Sequence, residues 1–467
     1  MTGAKNENEL IPIMRFRMPL AFLIAFGWLG GPRAQGQDTG PPPASEVLTV
    51  EDMRADLAVF RDDFLARDQS YSPDAREEAE VRLAALEEGL EHVGRAEFEL
   101  HLAQIVSLAD NGHTISFAGD RSSRFNRVSI RVFPFGEDFY VLRATEPNAE
   151  LLGARVVAVG GTAISEIRDA SRALVGGTPA WRDRVGSYLI ESPEQLHALG
   201  LAPDPAGAVY AFETSDGARF ERFLAGDPAG ERPGRTSRWI YPELLEEEVG
   251  EWRALMDPDL APWALQDAGE SFRSREVPEL DAMVIELRRN NNAPGKPIRV
   301  ALREFRQVIE EAGRSNVILD MRQNGGGDLN TTRDFMESLP NLVPGRIFVL
   351  ISPWTFSAAI SSIGYLKQTA PDRVVIIGEG PGDRLEFFSE GSTMTLPNSG
   401  VMLLAATERH DYQTGCEGFS DCHGSVVRHP IAVDSLAPDI AAPWTFEVYA
   451  AGRDPGMEAV ARAIDGD

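Results

Sequence analysis

The chain has 467 residues, of which 43% are hydrophobic and 25% charged. That length suits two or three domains with a sizeable core, and the composition excludes a disordered or collagen-like chain. Lys plus Arg number 45 and Asp plus Glu 72, a formal net charge of −27, which argues against a nucleic-acid binder or a protein held on anionic lipid by charge.

Arg15 and Arg17 precede an apolar run, Leu20 to Leu29, followed by the small-x-small triplet Ala34-Gln35-Gly36. Positive charge, a short apolar stretch and a small-residue exit predict a secretory signal over residues 1–36. The run falls short of the ~20 residues a spanning helix needs. No membrane anchor is therefore expected to remain, and the mature chain is expected in the periplasm or outside the cell. Residues 37–46, with Gly40 to Ala44 reading GPPPA, predict a stiff linker.

Residues 47–118 predict a small helical bundle or a helical cover on another domain. Thr49 can cap a helix carrying Met53, Leu57, Phe60 and Phe64. Ser72-Pro73 can start a second, with Val81, Leu83, Leu86 and Leu90, and a third carries Phe98, Leu102, Ile105 and Ala109. Residues 119–226 predict a β-rich unit with strands at Val128–Phe133, Phe139–Ala144, Arg155–Val159, Ala208–Glu213 and Phe220–Phe223. Leu151–Ile167, a strand, tight turn and short helix, looks like the core of a PDZ-like module, with an unrelated β-rich insert as the alternative. Residues 227–467 predict an α/β layer, with strands at Ala282–Leu287, Val317–Asp320, Ile347–Ser352 and Val374–Ile377 alternating with helices.

Ser357 stands where a buried strand turns into a helix, a place that leaves the N–H of Ala358 free to donate. A serine there can attack a carbonyl while that amide stabilises the oxyanion; a plain helix cap is the bland reading. The G-x-S-x-G elbow is absent. Asn324 to Gly327 form a glycine turn after the strand ending at Asp320, and it lacks the lysine of a phosphate loop. Gly325 and Gly326 are therefore candidate oxyanion donors. Among seven histidines, His113 follows Asp110-Asn111-Gly112 at a helix-to-strand junction and can point into a cleft. His410, His423 and His429 cluster near Cys416 and Cys422, the only cysteines. A disulfide between these two is expected in an exported chain. Four metal ligands from Cys416, Cys422, His423 and His429 are the alternative, but the spacing fits no usual zinc motif. No metal and no cofactor is expected.

Together these stretches resemble the S41 serine peptidases, the tail-specific and tricorn-core group. The likeness rests on NVILDMRQNGGGD (Asn316–Asp328), TFSAA (Thr355–Ala359), RVVIIGE (Arg373–Glu379), the closing segment from Leu436 to Ile464, and LADNGHT (Leu108–Thr114). It implies a multidomain α+β and α/β chain whose last part is an S41-type, ClpP/crotonase-like catalytic domain. It also implies a serine peptidase acting on polypeptides, with Ser357 as nucleophile and His113 as base. The family's Ser-Lys branch places a lysine about 25 residues after the serine; Gly378–Phe388 holds none. Lys367 lies ten residues on, about 15 Å along the helix. The acid is open among Glu379, Glu386, Glu390 and Glu417, with Glu386 favoured by chain order. A binding protein that has lost catalysis, and an esterase or amidase on small acyl substrates, are the alternatives. Oligomeric state is not legible.

Overall fold

The structure is a computed structural model that describes residues 47–229 and 238–466. The signal segment and the GPPPA linker lie outside those residues. Among the described residues no helix is long and apolar enough to cross a membrane.

Thr49 caps the helix Val50–Val59, which continues as a π-helical turn, Phe60–Leu65. Ser72 caps Pro73–Gly89, and Arg95–Ser107 follows. Val81 departs from expectation and is 59% exposed. It lies two residues from both Ala79 and Leu83, which are buried, and two residues on a helix point to opposite faces. This helical region is not a self-contained bundle. Its core includes Leu396, Val401, Leu403 and Ala405 from a late hairpin, Ser392–Thr395 with Met402–Ala405. Ile115–Ser116, the short strand that follows His113, pairs antiparallel with Leu403 and Leu404. The segment that carries His113 is thus stitched to a hairpin nearly 300 residues later.

The middle of the chain forms an antiparallel sheet in the order Ile130–Phe135, Asp138–Thr145, Arg155–Val159, Gly207–Glu213, Arg219–Ala225. Short helices between its third and fourth long strands include Pro179–Asp183.

The last part is a six-stranded sheet. Its strands are β1 (Phe272–Val277), β2 (Ala282–Leu287), β3 (Asn316–Asp320), β4 (Ile347–Ile351), β5 (Val374–Gly378) and β6 (Ile440–Ala441), in the spatial order β6-β5-β4-β3-β2-β1. Only β1 runs antiparallel to its neighbour. Alternation along the strands sends Val317, Leu319, Ile347 and Val349 to one face. There they meet α1 (Ile298–Ala312) and α2 (Ala358–Thr369). Ile318, Phe348 and Leu350 go to the other face, against Ala459 and Val460 of α3 (Pro455–Asp465). Each such side chain contributes about 1.5–3 kcal/mol on full burial. Asp454 caps α3 and forms an ion pair with Arg322, which also pairs with Asp320 at the end of β3. The D-M-R and G-R-D-P stretches of the sequence are therefore two halves of one buried clasp.

Candidate functional site

In open α/β sheets the loops beyond the carboxyl ends of parallel strands form the natural crevice. Here those loops leave β3, β4 and β5. The turn after β4 is tied to the loop after β3: the Thr355 hydroxyl donates to the Met321 carbonyl (2.9 Å) and the Phe356 N–H to that of Asn324 (3.0 Å). Ser357 follows with φ +59° and ψ −128°, a backbone that costs a non-glycine residue about 1–3 kcal/mol. Although the sequence lacks an elbow motif, the serine sits on a strained strand-to-helix corner, 4% exposed. The amide of Ala358, in the first turn of α2, is one the helix leaves without an acceptor.

The glycine loop lies directly against this corner. A Cβ on Gly326 would stand 2.6 Å from the Ser357 Cβ and 2.9 Å from the Ala358 nitrogen. Its own N–H, however, donates to the Asn324 side-chain oxygen (2.9 Å), and Asn324 is in turn anchored to the Leu287 carbonyl. Gly326 therefore supplies close approach and not a free oxyanion donor, a correction to the sequence-based expectation. Gly325 is exposed.

His113 is 1% exposed. Asn111 holds its loop by accepting from the Phe388 N–H (3.1 Å) and donating to the Phe388 carbonyl (3.0 Å). Gly112 is required next, because a Cβ there would lie 2.8 Å from the Phe356 ring. The His113 ring stacks on Phe356, the residue before Ser357, at 4.4 Å, and on Phe387 at 5.0 Å. Its Nε2 meets Asp383 Oδ2 at 3.0 Å, and its Nδ1 is 3.4 Å from the Ser389 hydroxyl. Glu386 is not brought to the histidine. It points out of its strand, half exposed, and pairs with Arg409. The strand Glu386–Ser389 alternates, so Phe387 and Ser389 face inward while Glu386 does not. Glu417 is exposed on the loop closed by the Cys416–Cys422 disulfide. That bond also removes the thiolates a Cys/His metal site would have used.

Asp383 was missed because it follows no motif; the Gly382 N–H bound to the Thr355 carbonyl (2.9 Å) places it. A second imidazole was also missed. Trp181, Phe356, His113, Phe387, His410 and His423 stack in one column, with successive centroids 3.7, 4.4, 5.0, 5.1 and 5.2 Å apart. A cavity of about 10 Å³ is lined by Ser357, Ala358, Gly327, Ser389, Glu390 and His410 among others. Burial lowers the pKa of His410 more than Glu390 raises it, favouring the neutral imidazole. Burial alone would raise Glu390, but His410, and then the charges of His423 and His113, hold its carboxyl below the usual range. Glu379 lies in a separate cleft of about 290 Å³ with Trp354, Arg184 and Trp444. Burial pushes its pKa up to about 7.

Solved structures share this fold. Mature CPAF has the same fold: in complex with lactacystin it gives a TM-score of 0.54 at 11% identity, covering 90% of this chain and 99% of that one. Mature CPAF alone gives 0.51 at 12%, with 89% and 96% covered. A photosystem II D1 C-terminal processing protease aligns over 89% of this chain and 96% of its own at 15% identity, with a TM-score of 0.33. No protein-family model and no curated protein matches the chain.

Proposed function

We propose that the chain is an exported serine peptidase that cleaves polypeptides through Ser357 and His113. The observation that carries this reading is the strained Ser357 corner, which leads into an open helix amide and follows Phe356, the ring against which the buried, Asp383-paired His113 stacks. Asp383 accepts from Nε2–H of His113, which leaves the lone pair on Nδ1. That nitrogen faces Ser389, whose side chain lines the same cavity as Ser357. The proton of Ser357 leaves toward Nδ1 as its oxygen bonds to the substrate carbonyl carbon. The amides of Ala358 and Gly325 receive the oxyanion. The imidazolium, steadied by Asp383, then returns the proton to the leaving amine. Water, activated by the same imidazole, releases the acyl group from Ser357. Export rests on the predicted signal over residues 1–36 and on the Cys416–Cys422 disulfide, which suits an oxidising compartment.

The test is labelling with a fluorophosphonate probe alongside turnover of an unfolded polypeptide. Wild-type protein should label and cleave. Ser357→Ala should do neither, and His113→Ala should lose about 10²–10⁴-fold in both. Peptidase activity that survives Ser357→Ala in a folded protein removes the reading.

A further inference from the structure

We propose that Glu390, His410 and His423 form a binding site for one zinc-class divalent cation at the rim of the Ser357 cavity. The donor atoms of the three side chains all lie within 4.8 Å of one another. Each imidazole already has its Nδ1 engaged, by the Tyr412 hydroxyl for His410 (2.9 Å) and by Glu408 for His423 (2.7 Å). Partners of this kind fix the tautomer and orientation of metal-binding histidines, and they leave both Nε2 atoms as the ligands. The rings stack nearly parallel, 8° apart, at 5.2 Å.

His410 supplies a second, independent sign of a missing occupant. Its Nε2 is fully buried and is met only by Glu390 Oε1 at 3.3 Å, a contact that falls short of good hydrogen-bond geometry. A buried nitrogen that is poorly satisfied is costly, and a cation drawing on its lone pair and on the Glu390 carboxylate together removes that cost. The backbone at Glu390 is held at φ +59°, a strained conformation for a non-glycine residue that sets where its carboxylate sits. Two imidazoles and one carboxylate are a ligand set that suits zinc and leaves a fourth position open. Ligands at about 2 Å around a tetrahedral ion stand about 3.3 Å apart. Donor atoms within 4.8 Å of one another thus depart from that spacing by about 1.5 Å at most. Glu390 and His410 also line the cavity beside Ser357, which has room for about one water-sized occupant.

The experiment uses the full chain, dialysed against zinc and separately against cobalt(II). Wild-type protein should retain one zinc per chain, and its cobalt form should show the intense visible absorption of a four-coordinate ion. Glu390→Gln and His423→Ala should each weaken zinc binding at least about tenfold. His92→Ala, at an exposed histidine far from the cluster in sequence, should not. Circular dichroism checks that each variant folds; if His423→Ala does not, Glu390→Gln carries the comparison. No retained zinc in wild-type protein, a weak six-coordinate cobalt spectrum, or equal binding by the folded cluster variants overturns the site. None of these readouts depends on the peptidase reading.

Discussion

Gly325 and Gly326 are neighbours in one loop, yet alanine at the two positions should behave oppositely. Both substitutions keep the backbone N–H, so the contrast isolates space and backbone conformation. At Gly326, φ is +89°, which costs an alanine about 1–2 kcal/mol. The new Cβ would also lie 2.6 Å from the Ser357 Cβ, 2.8 Å from the Phe356 carbonyl oxygen and 2.9 Å from the Ala358 nitrogen. Two of these are backbone atoms that cannot rotate away, and overpacking of this kind costs about 1–3 kcal/mol. Gly326→Ala should therefore destabilise the α/β region by about 2–5 kcal/mol. It should also displace the serine corner, where a shift of 1 Å costs about 10²-fold in rate. Gly325 has no atom within 4 Å of a built Cβ and no positive φ. Alanine there should be neutral or stabilise by about 0.4–1 kcal/mol. Urea denaturation followed by tryptophan fluorescence reads stability, and the rate of fluorophosphonate labelling reads the corner. Equal midpoints and equal labelling rates for the two variants would falsify the close approach of the loop to Ser357.

Four other substitutions test separate parts of the structure. Asp383→Asn should slow peptide turnover by about 10²–10⁴-fold, with the loss in kcat, because His113 loses the partner that fixes its tautomer. Glu386→Gln, which only breaks a surface pair with Arg409, should leave kcat within about twofold of wild type; the reverse ranking would restore Glu386 as the acid. Arg322→Ala should cost about 3–5 kcal/mol in urea melts, since it strands Asp320 and Asp454 without their buried cation; a loss under 1 kcal/mol would show that the clasp is not buried in solution. Glu379 has a folded pKa of about 7, above its unfolded value, so the folded state binds the extra proton. Its contribution is favourable below the unfolded pKa and is lost as pH rises through about 7. Glu379→Gln should therefore gain stability relative to wild type between about pH 5 and about pH 8, and a flat difference across that range would refute the buried carboxyl.

Local pattern was enough to place Ser357 at a strand-to-helix junction, the glycine turn after Asp320 and His113 at the end of its helix. Each depends on a few consecutive residues: an apolar run, a break and a capping position. The strands of the parallel sheet were legible for the same reason, because a strand buried on both faces must be apolar along its length. What sequence could not supply is the choice among side chains that meet from remote segments. Asp383 rather than Glu386 reaches His113, 270 residues away, because strand pleat turns Glu386 outward and the turn at Gly382 swings Asp383 in. The loss of Gly326 as a donor likewise depends on an Asn324 rotamer, and the gathering of Glu390, His410 and His423 on strand register and a disulfide-closed loop. Carboxylates and imidazoles are common along the chain, and only tertiary packing decides which come within about 3 Å of one another, the range in which protons and ions are shared.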